Sequence, residues 1–191
     1  MKTRVIDKAM FRDMPWANGM GVTIELFAHR NEQTDRMLWR ISIAAVTADG
    51  PFSHFAGYDR VLVLLEGAGI WLRHQDGTEQ HLGGAYQLAA FAGDVGTHAT
   101  LVDGPVRDFN VIADRSAFQP SVTIVSGRSH RVSIDADVLA VYALDDKLQI
   151  VDPDRHRHAV RKGDLLLVDA PCRGNWSFSG ATAIVTQLAR I

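Results

Sequence analysis

The residue best placed to do chemistry in this chain is Arg60, one cation in the apolar run YDRVLVLLE from Tyr58 to Glu66. With the two-residue repeat of a strand, Arg60 shares a face with Leu62 and Leu64, while Val61, Val63 and Leu65 cover the other. Both faces are apolar, so this strand is expected to be buried on both sides. A buried guanidinium keeps its proton and must find acceptors, and its planar fork suits a carboxylate bound through two parallel hydrogen bonds. The acceptor is a ligand carboxylate or the protein's own Asp94 or Asp108, and the two coexist if the aspartate orients the arginine.

Other polar residues alternate with apolar ones in the same way. In LWRISIAAV, Arg40 and Ser42 share a face opposite Trp39, Ile41 and Ile43. In RDFNVI, Asp108 and Asn110 share a face opposite Phe109 and Val111, and together they offer both acceptors and donors. In GPFSHFAGYD, Ser53 and Phe55 are expected to point with Arg60, and His54 away. PWANGMGVTIE places Trp16, Asn18 and Thr23 around Gly19 and Gly21, which let the backbone turn tightly or approach a ligand closely. The expected ligand-binding set is therefore Arg60, Asn18, Trp16, Ser42, Arg40, Ser53, Phe55, Asp94, Asp108 and Asn110, with no residue assigned a catalytic role.

Two further features read as structural. His156 and His158 alternate with Arg155 and Arg157, lack a third metal ligand at sensible spacing, and are expected on an exposed strand edge. Cys172, in APCRGNW, has no neighbouring histidine and is expected in a turn.

The elements that must position these residues are short apolar runs rich in Val, Ile, Leu and aromatics, bounded by Gly, Pro, Asp or Asn. In the first half they predict strands at 22–28, 38–46, 60–66, 69–73, 86–90, 97–103 and 107–113. In the second half they predict strands at 121–126, 132–134, 138–143, 148–151, 158–161, 165–168 and 181–188. Asp49-Gly50-Pro51, Glu66-Gly67, Asp76-Gly77, Asp145-Asp146 and Asp152-Pro153 supply the turns. Helix is nearly absent, so the class is all-β. The stretches starting at Val61 and Val138 echo each other in pattern, which suggests a duplicated unit divided into 1–118 and 119–191.

Bulk composition narrows the function. The 191 residues, 47% hydrophobic, can bury a sizeable core, and a net charge of -2 creates no long-range field for nucleic acid or an anionic membrane. One cysteine fits a reducing compartment, the stretch MKTRVIDKAMFRDM has charges every few residues so that no signal peptide is expected, and no run of ~20 apolar residues occurs in the sequence. A cytoplasmic protein with a small-molecule partner is expected, and a homodimer is compatible with the chain.

The stretch Gly50 to Gly67, GPFSHFAGYDRVLVLLEG, is similar in outline to the first metal-binding motif of cupins, but the two histidines of that motif fall on Ser53 and Phe55 and its glutamate on Arg60. A cation stands where a cation's ligand would. HAVRKGDLLLVDAP likewise resembles a cupin turn. PWANGMGVTIE, LWRISIAAV, the Gly50 to Gly67 stretch, the FAGD turn (Phe91 to Asp94) and RDFNVI, in this order, resemble the HutD/Ves family of cupin-like proteins. The resemblance implies a bicupin of two jelly-roll barrels, with the pocket in the N-terminal barrel, a structural C-terminal one, and neither metal nor cofactor. HutD-like members are associated with histidine utilisation, in which they have been proposed to act in regulation or buffering by binding urocanate or N-formylglutamate. Ves-like members are associated with stress or cold responses. The expected function is thus metal-independent binding of a small carboxylate metabolite of that class. The alternatives are a metal-free isomerase or hydrolase, with Asp94 or Asp108 as base and Arg60 stabilising an oxyanion, and a metal-dependent cupin using His54 and His98.

Overall fold

The computed structural model describes residues 3–16 and 21–191. Within them the chain is all-β, with one short 3-10 turn at Lys8–Met10. The strands of the first half are β1 (Thr3–Ile6), β2 (Arg12–Pro15), β3 (Gly21–Arg30), β4 (Met37–Val46), β5 (Gly50–Pro51), β6 (Tyr58–Glu66), β7 (Ile70–His74), β8 (Glu79–Leu82), β9 (Leu88–Ala92), β10 (Thr97–Leu101) and β11 (Val106–Asp114). They are followed by β12 (Phe118–Val125), β13 (His130–Ala143), β14 (Leu148–Val151), β15 (Arg157–Val160), β16 (Leu165–Ser179) and β17 (Ala183–Arg190). Among the described residues no helix is long and apolar enough to cross a membrane.

The chain divides into two compact units, Phe11–Phe118 and Gln119–Ile191, and the latter also takes Met1–Met10. Residues 3–10, expected with the N-terminal half, thus leave it. β1 pairs antiparallel with β16, Thr3 opposite Val168 and Ile6 opposite Leu165.

The unit Phe11–Phe118 contains a six-stranded sheet in the order β2-β3-β4-β11-β6-β9 and a four-stranded sheet in the order β5-β10-β7-β8. Leu62, Leu64 and Val106 of the first sheet pack with Ile70, Leu72 and Ala99 of the second in one core, so the face that carries Arg60 is the inner one. Full burial of each such leucine contributes roughly 1.5–3 kcal/mol. Val61 and Val63, on the opposite face of β6, are buried as well.

Strand register assembles the polar residues. Arg60 on β6 lies beside Ile112 on β11, which lies beside Arg40 on β4. The next inward row is Leu62, Asn110 and Ser42, and the one after it Leu64, Asp108 and Ala44, with Thr23 of β3 beyond Ala44. Because alternate residues of a strand share a face, three rows of one sheet present two arginines, an asparagine, a serine and an aspartate on the same side.

The other unit forms a seven-stranded sheet, β12-β17-β13-β16-β14-β15 with β1 on β16. Its interior is closed by Leu139, Val141, Leu166, Trp176, Phe178 and Val185, among others, all buried. Two differences from the sequence reading concern long strands. β13 runs unbroken where two short strands were expected. β16 continues through Pro171 and Cys172, so Cys172 is a buried strand residue and not part of a turn. The pairing shifts between Ala136 opposite Cys172 and Val138 opposite Asp169, leaving Ala170 and Pro171 in a bulge where the missing N–H of proline costs no ladder bond.

Candidate ligand-binding site

A cavity of about 390 Å³ opens within the unit Phe11–Phe118. Of the ten expected site residues, Trp16, Arg40, Ser42, Ser53, Phe55, Arg60, Asp108 and Asn110 line it, joined by Thr23, Ala44, Val46, Pro51, Phe52 and Ile112. Asn18 lies outside the described residues. Asp94 does not line the cavity.

Arg60 is 6% exposed. One guanidinium nitrogen, Nη2, donates to Asn110 Oδ1 at 3.0 Å, and Nη1 reaches the Ser53 carbonyl at 3.4 Å. Its Nε is buried without a partner. Phe91, Phe52 and Phe55 surround the group, their ring centres 5.0, 5.1 and 5.5 Å from the guanidinium carbon. Such contacts partly replace lost hydration, each by roughly 0.5–2 kcal/mol. Burial pushes the Arg60 pKa down to about 10, with Asp108 opposing and Arg40 adding to the shift, so the group is still a cation at neutral pH. Phe52 and Phe91 stood in the quoted motifs, but their role depends on loops and on β9 pairing beside Arg60, which no local periodicity reveals.

Arg40 shares Phe55 with Arg60, its guanidinium carbon 5.5 Å from the ring centre. Burial lowers its pKa as well, and its Nε is buried and unpartnered. Asp108 is the carboxylate among the lining residues. Its Oδ1 accepts from Asn110 Nδ2, while Oδ2 is buried with no partner. Burial raises the Asp108 pKa to about 7 against the pull of Arg60 and Asn110. Asn110 therefore stands between Arg60 and Asp108, which make no direct ion pair. In the same sheet Trp16 Nε1 donates to Thr23 Oγ1 of β3 at 2.9 Å, and Gly21 leaves the room that the Trp16 ring occupies, since a Cβ there would meet it at 2.9 Å.

Asp94, expected as ligand contact or as the partner of Arg60, is instead held by Arg115. Arg115 Nη1 donates to Asp94 Oδ2 at 2.7 Å and Arg115 Nε to Asp59 Oδ1 at 2.7 Å. The Gly57 N–H also donates to Asp94, and Arg115 with this N–H keeps the Asp94 carboxyl below the usual range. The FAGD turn thus fastens the loop that carries Phe55. The signal for Arg115 is weak in sequence because its partners lie 21 and 56 residues away.

His54 turns from the cavity, Nε2 lying 2.8 Å from the Asp94 carbonyl, and His98 is exposed on β10. No imidazole or thiolate lines the cavity among the described residues, whereas two guanidiniums do. That donor set does not suit the metal that cupins with the histidine motif hold.

In the other unit, His156 and His158 meet a residue the spacing did not suggest. Asp152 is buried, its Oδ2 3.0 Å from His156 Nδ1 and 3.2 Å from His158 Nε2, and its Oδ1 accepts the His156 backbone N–H at 2.8 Å. Burial pushes the Asp152 carboxyl up, but these contacts more than offset it and leave the pKa below its ordinary value. Asp152 thus ties His156, in the loop between β14 and β15, to His158 on β15.

The HutD family model matches residues 8–186. The chain is 32% identical over 137 residues to a 21.2 kDa protein in the hutC 3' region of Pseudomonas putida, covering 72% of this chain and 71% of that one. It is 32% identical over 149 residues to protein Ves of Citrobacter koseri, covering 74% and 77%. HutD from Pseudomonas fluorescens SBW25, solved in a formate condition, superposes with a TM-score of 0.86 at 28% identity over 100% of both chains. With the HutD family model spanning residues 8–186 and two relatives at 32% identity, one of them a protein Ves, this protein belongs to the HutD/Ves family.

Proposed function

We propose that this protein is a metal-independent receptor for a small carboxylate metabolite of the urocanate or N-formylglutamate class, acting in the regulation or buffering of histidine utilisation. The observation that carries this reading is electrostatic. Two guanidiniums, Arg40 and Arg60, face one cavity, each with an unpartnered Nε, and the carboxylate in its wall, Asp108, reaches Arg60 only through Asn110. Two desolvated cations beside one aromatic ring are costly without an anion between them. A ligand carboxylate supplies that anion, with Ser42 beside the two arginines and Trp16 and Phe55 as apolar walls. A volume of about 390 Å³ suits a small metabolite. In the same proposal both units are cupin-like barrels, the C-terminal one structural, and the protein acts in the cytoplasm.

Titration calorimetry of the metal-free protein with formate, urocanate and N-formylglutamate tests it. Saturable heat is expected with urocanate or N-formylglutamate, and formate, which offers the carboxylate alone, is expected to bind more weakly. Absence of heat with all three acids overturns the reading.

A metal-free isomerase or hydrolase is the second reading, favoured by one observation: Asp108 lines the cavity with its carboxyl raised to about 7, the range in which a general base works. Following a bound acid by NMR separates the two, since a receptor returns the acid unchanged.

A further inference from the structure

We propose that the loop between β14 and β15 is a binding site for a divalent transition-metal ion, held by Asp152 Oδ2, the Asp154 carboxylate and His156 Nδ1. This site belongs to the C-terminal unit and is independent of the carboxylate reading of the cavity.

The spacing of His156 and His158 alone offers no third ligand, but the folded loop supplies two carboxylates. One donor atom each from Asp152, Asp154 and His156 lies within 4.8 Å of the others. Asp152 is the fixed member. Its side chain is 0% exposed, its Oδ1 accepts the His156 backbone N–H at 2.8 Å, and its own backbone N–H donates to the His156 carbonyl at 3.1 Å. The Arg155 N–H donates to the Asp152 carbonyl at 3.0 Å, and Pro153 lies against Gly174 of β16, where a Cβ would meet the proline Cγ at 3.1 Å. The backbone that presents the three ligands is therefore in place before an ion arrives.

Asp152 Oδ2 faces two imidazoles, 3.0 Å from His156 Nδ1 and 3.2 Å from His158 Nε2. Neighbouring ligands about 2.1 Å from an octahedral ion stand about 3.0 Å apart, so an ion can replace the proton between Oδ2 and His156 Nδ1, which leaves to solvent. His158, its ring nearly parallel to that of the buried Trp176 at 6.3 Å, keeps its N–H on the remaining lone pair of Oδ2 and orients that oxygen. The charges of the two carboxylates match one dication. Among the described residues Asp154 has no ion-pair partner, although Arg155 and Arg157 are close in sequence, and Arg157 alternates with His158 on β15 and so projects from the other face. Imidazole beside carboxylate favours ions such as Zn²⁺ or Ni²⁺ over Mg²⁺. Asp154 is exposed and the His156 side chain is 69% exposed, so the ion enters from solvent and water completes its coordination.

Titration calorimetry of the untagged full chain, first stripped with a chelator, tests the site with Zn²⁺ and Mg²⁺. Saturation at one equivalent of Zn²⁺ is expected, and no heat with Mg²⁺. Asp154→Asn removes a side chain that braces nothing else, so the fold is kept, and Zn²⁺ affinity is expected to fall at least about tenfold; His156→Ala is expected to do the same. Absence of saturable Zn²⁺ binding overturns the proposal. So does an affinity unchanged in either variant, which means an adventitious ion only, and so does Mg²⁺ binding as tightly as Zn²⁺. None of these outcomes bears on acid binding in the other unit.

Discussion

Arg60 donates to Asn110 Oδ1 across 3.0 Å, from β6 to the neighbouring strand β11, and that bond orients the arginine without neutralising it. An amide oxygen carries no net charge. Asp108 offsets the burial of the guanidinium only across Asn110, with no direct ion pair, while three phenylalanine rings hold the group in place.

Replacement of Arg60 separates charge from geometry. Arg60→Lys keeps the cation but loses the fork that binds both carboxylate oxygens, and the shorter ammonium cannot span the three rings. Urocanate or N-formylglutamate affinity is expected to fall at least about tenfold in Arg60→Lys and about a hundredfold in Arg60→Ala, corresponding to a charge-assisted pair. Calorimetry reads the affinity, and thermal unfolding of the same samples shows that the fold is kept. Unchanged affinity in a folded Arg60→Ala protein refutes the role of this residue.

Asp108 makes stability depend on pH in the opposite sense to an ordinary surface carboxylate. Burial holds its folded-state pKa near 7, above the unfolded value of about 4. Between these values the folded protein binds more protons, so stability contributed by the neutral acid is fully present below about pH 4 and is lost as pH rises toward 7. Asp108→Asn removes that term. The unfolding midpoint of the variant relative to the wild type is therefore expected to rise steadily across this window and level off above it. A difference that stays flat with pH contradicts the buried, raised carboxyl.

What could be read from sequence here is what a two-residue period encodes. Arg60, Arg40 with Ser42, and Asp108 with Asn110 each alternate with apolar neighbours, and register then laid their strands side by side. The loops were harder. Asp94 looked like a site residue because it lies in the FAGD turn, yet its partner Arg115 is brought to it by β11, and nothing local marks that pairing. Strands β1, β2, β5 and β8 escaped because they are two to four residues long and carry charged, polar or Gly-Pro sequences whose strand state comes from the neighbour they pair with. Asp152 was legible only as a turn residue, since its burial beneath two imidazoles is a tertiary fact.

Asp152 anchors the loop between β14 and β15, and its removal tests that anchor. Asp152→Ala leaves the His156 N–H and two imidazoles without their acceptor. A loss of about 2–3 kcal/mol is expected, which lowers the unfolding midpoint by roughly 4–12 °C in a chain of this size. Because the folded-state pKa lies below the unfolded one, this contribution is present above the unfolded pKa and disappears as pH falls through the folded value. Wild type and variant are therefore expected to converge in strongly acidic solution, and a gap that persists there contradicts the assignment.

Gly93 tests how tightly the rear of the site is packed. Its N–H donates to the Tyr58 carbonyl at 2.7 Å, and its own carbonyl accepts from the Phe55 N–H at 2.9 Å, so it braces the segment that carries the ring shared by Arg40 and Arg60. A Cβ at this position would lie 2.6 Å from the Phe55 carbonyl oxygen, 2.9 Å from the Phe55 Cβ and 3.0 Å from the Tyr58 carbonyl oxygen. None of those atoms is the free end of a flexible side chain, so the Phe55 segment itself must move. Gly93→Ala is expected to cost about 1–3 kcal/mol and to weaken acid binding about threefold to tenfold by displacing Phe55 from the two guanidiniums. Gly50→Ala is the control, because a Cβ at Gly50 meets nothing within 4 Å. If both variants melt and bind alike, Phe55 is not held by Gly93, and the aromatic contact of the two arginines does not depend on the FAGD turn.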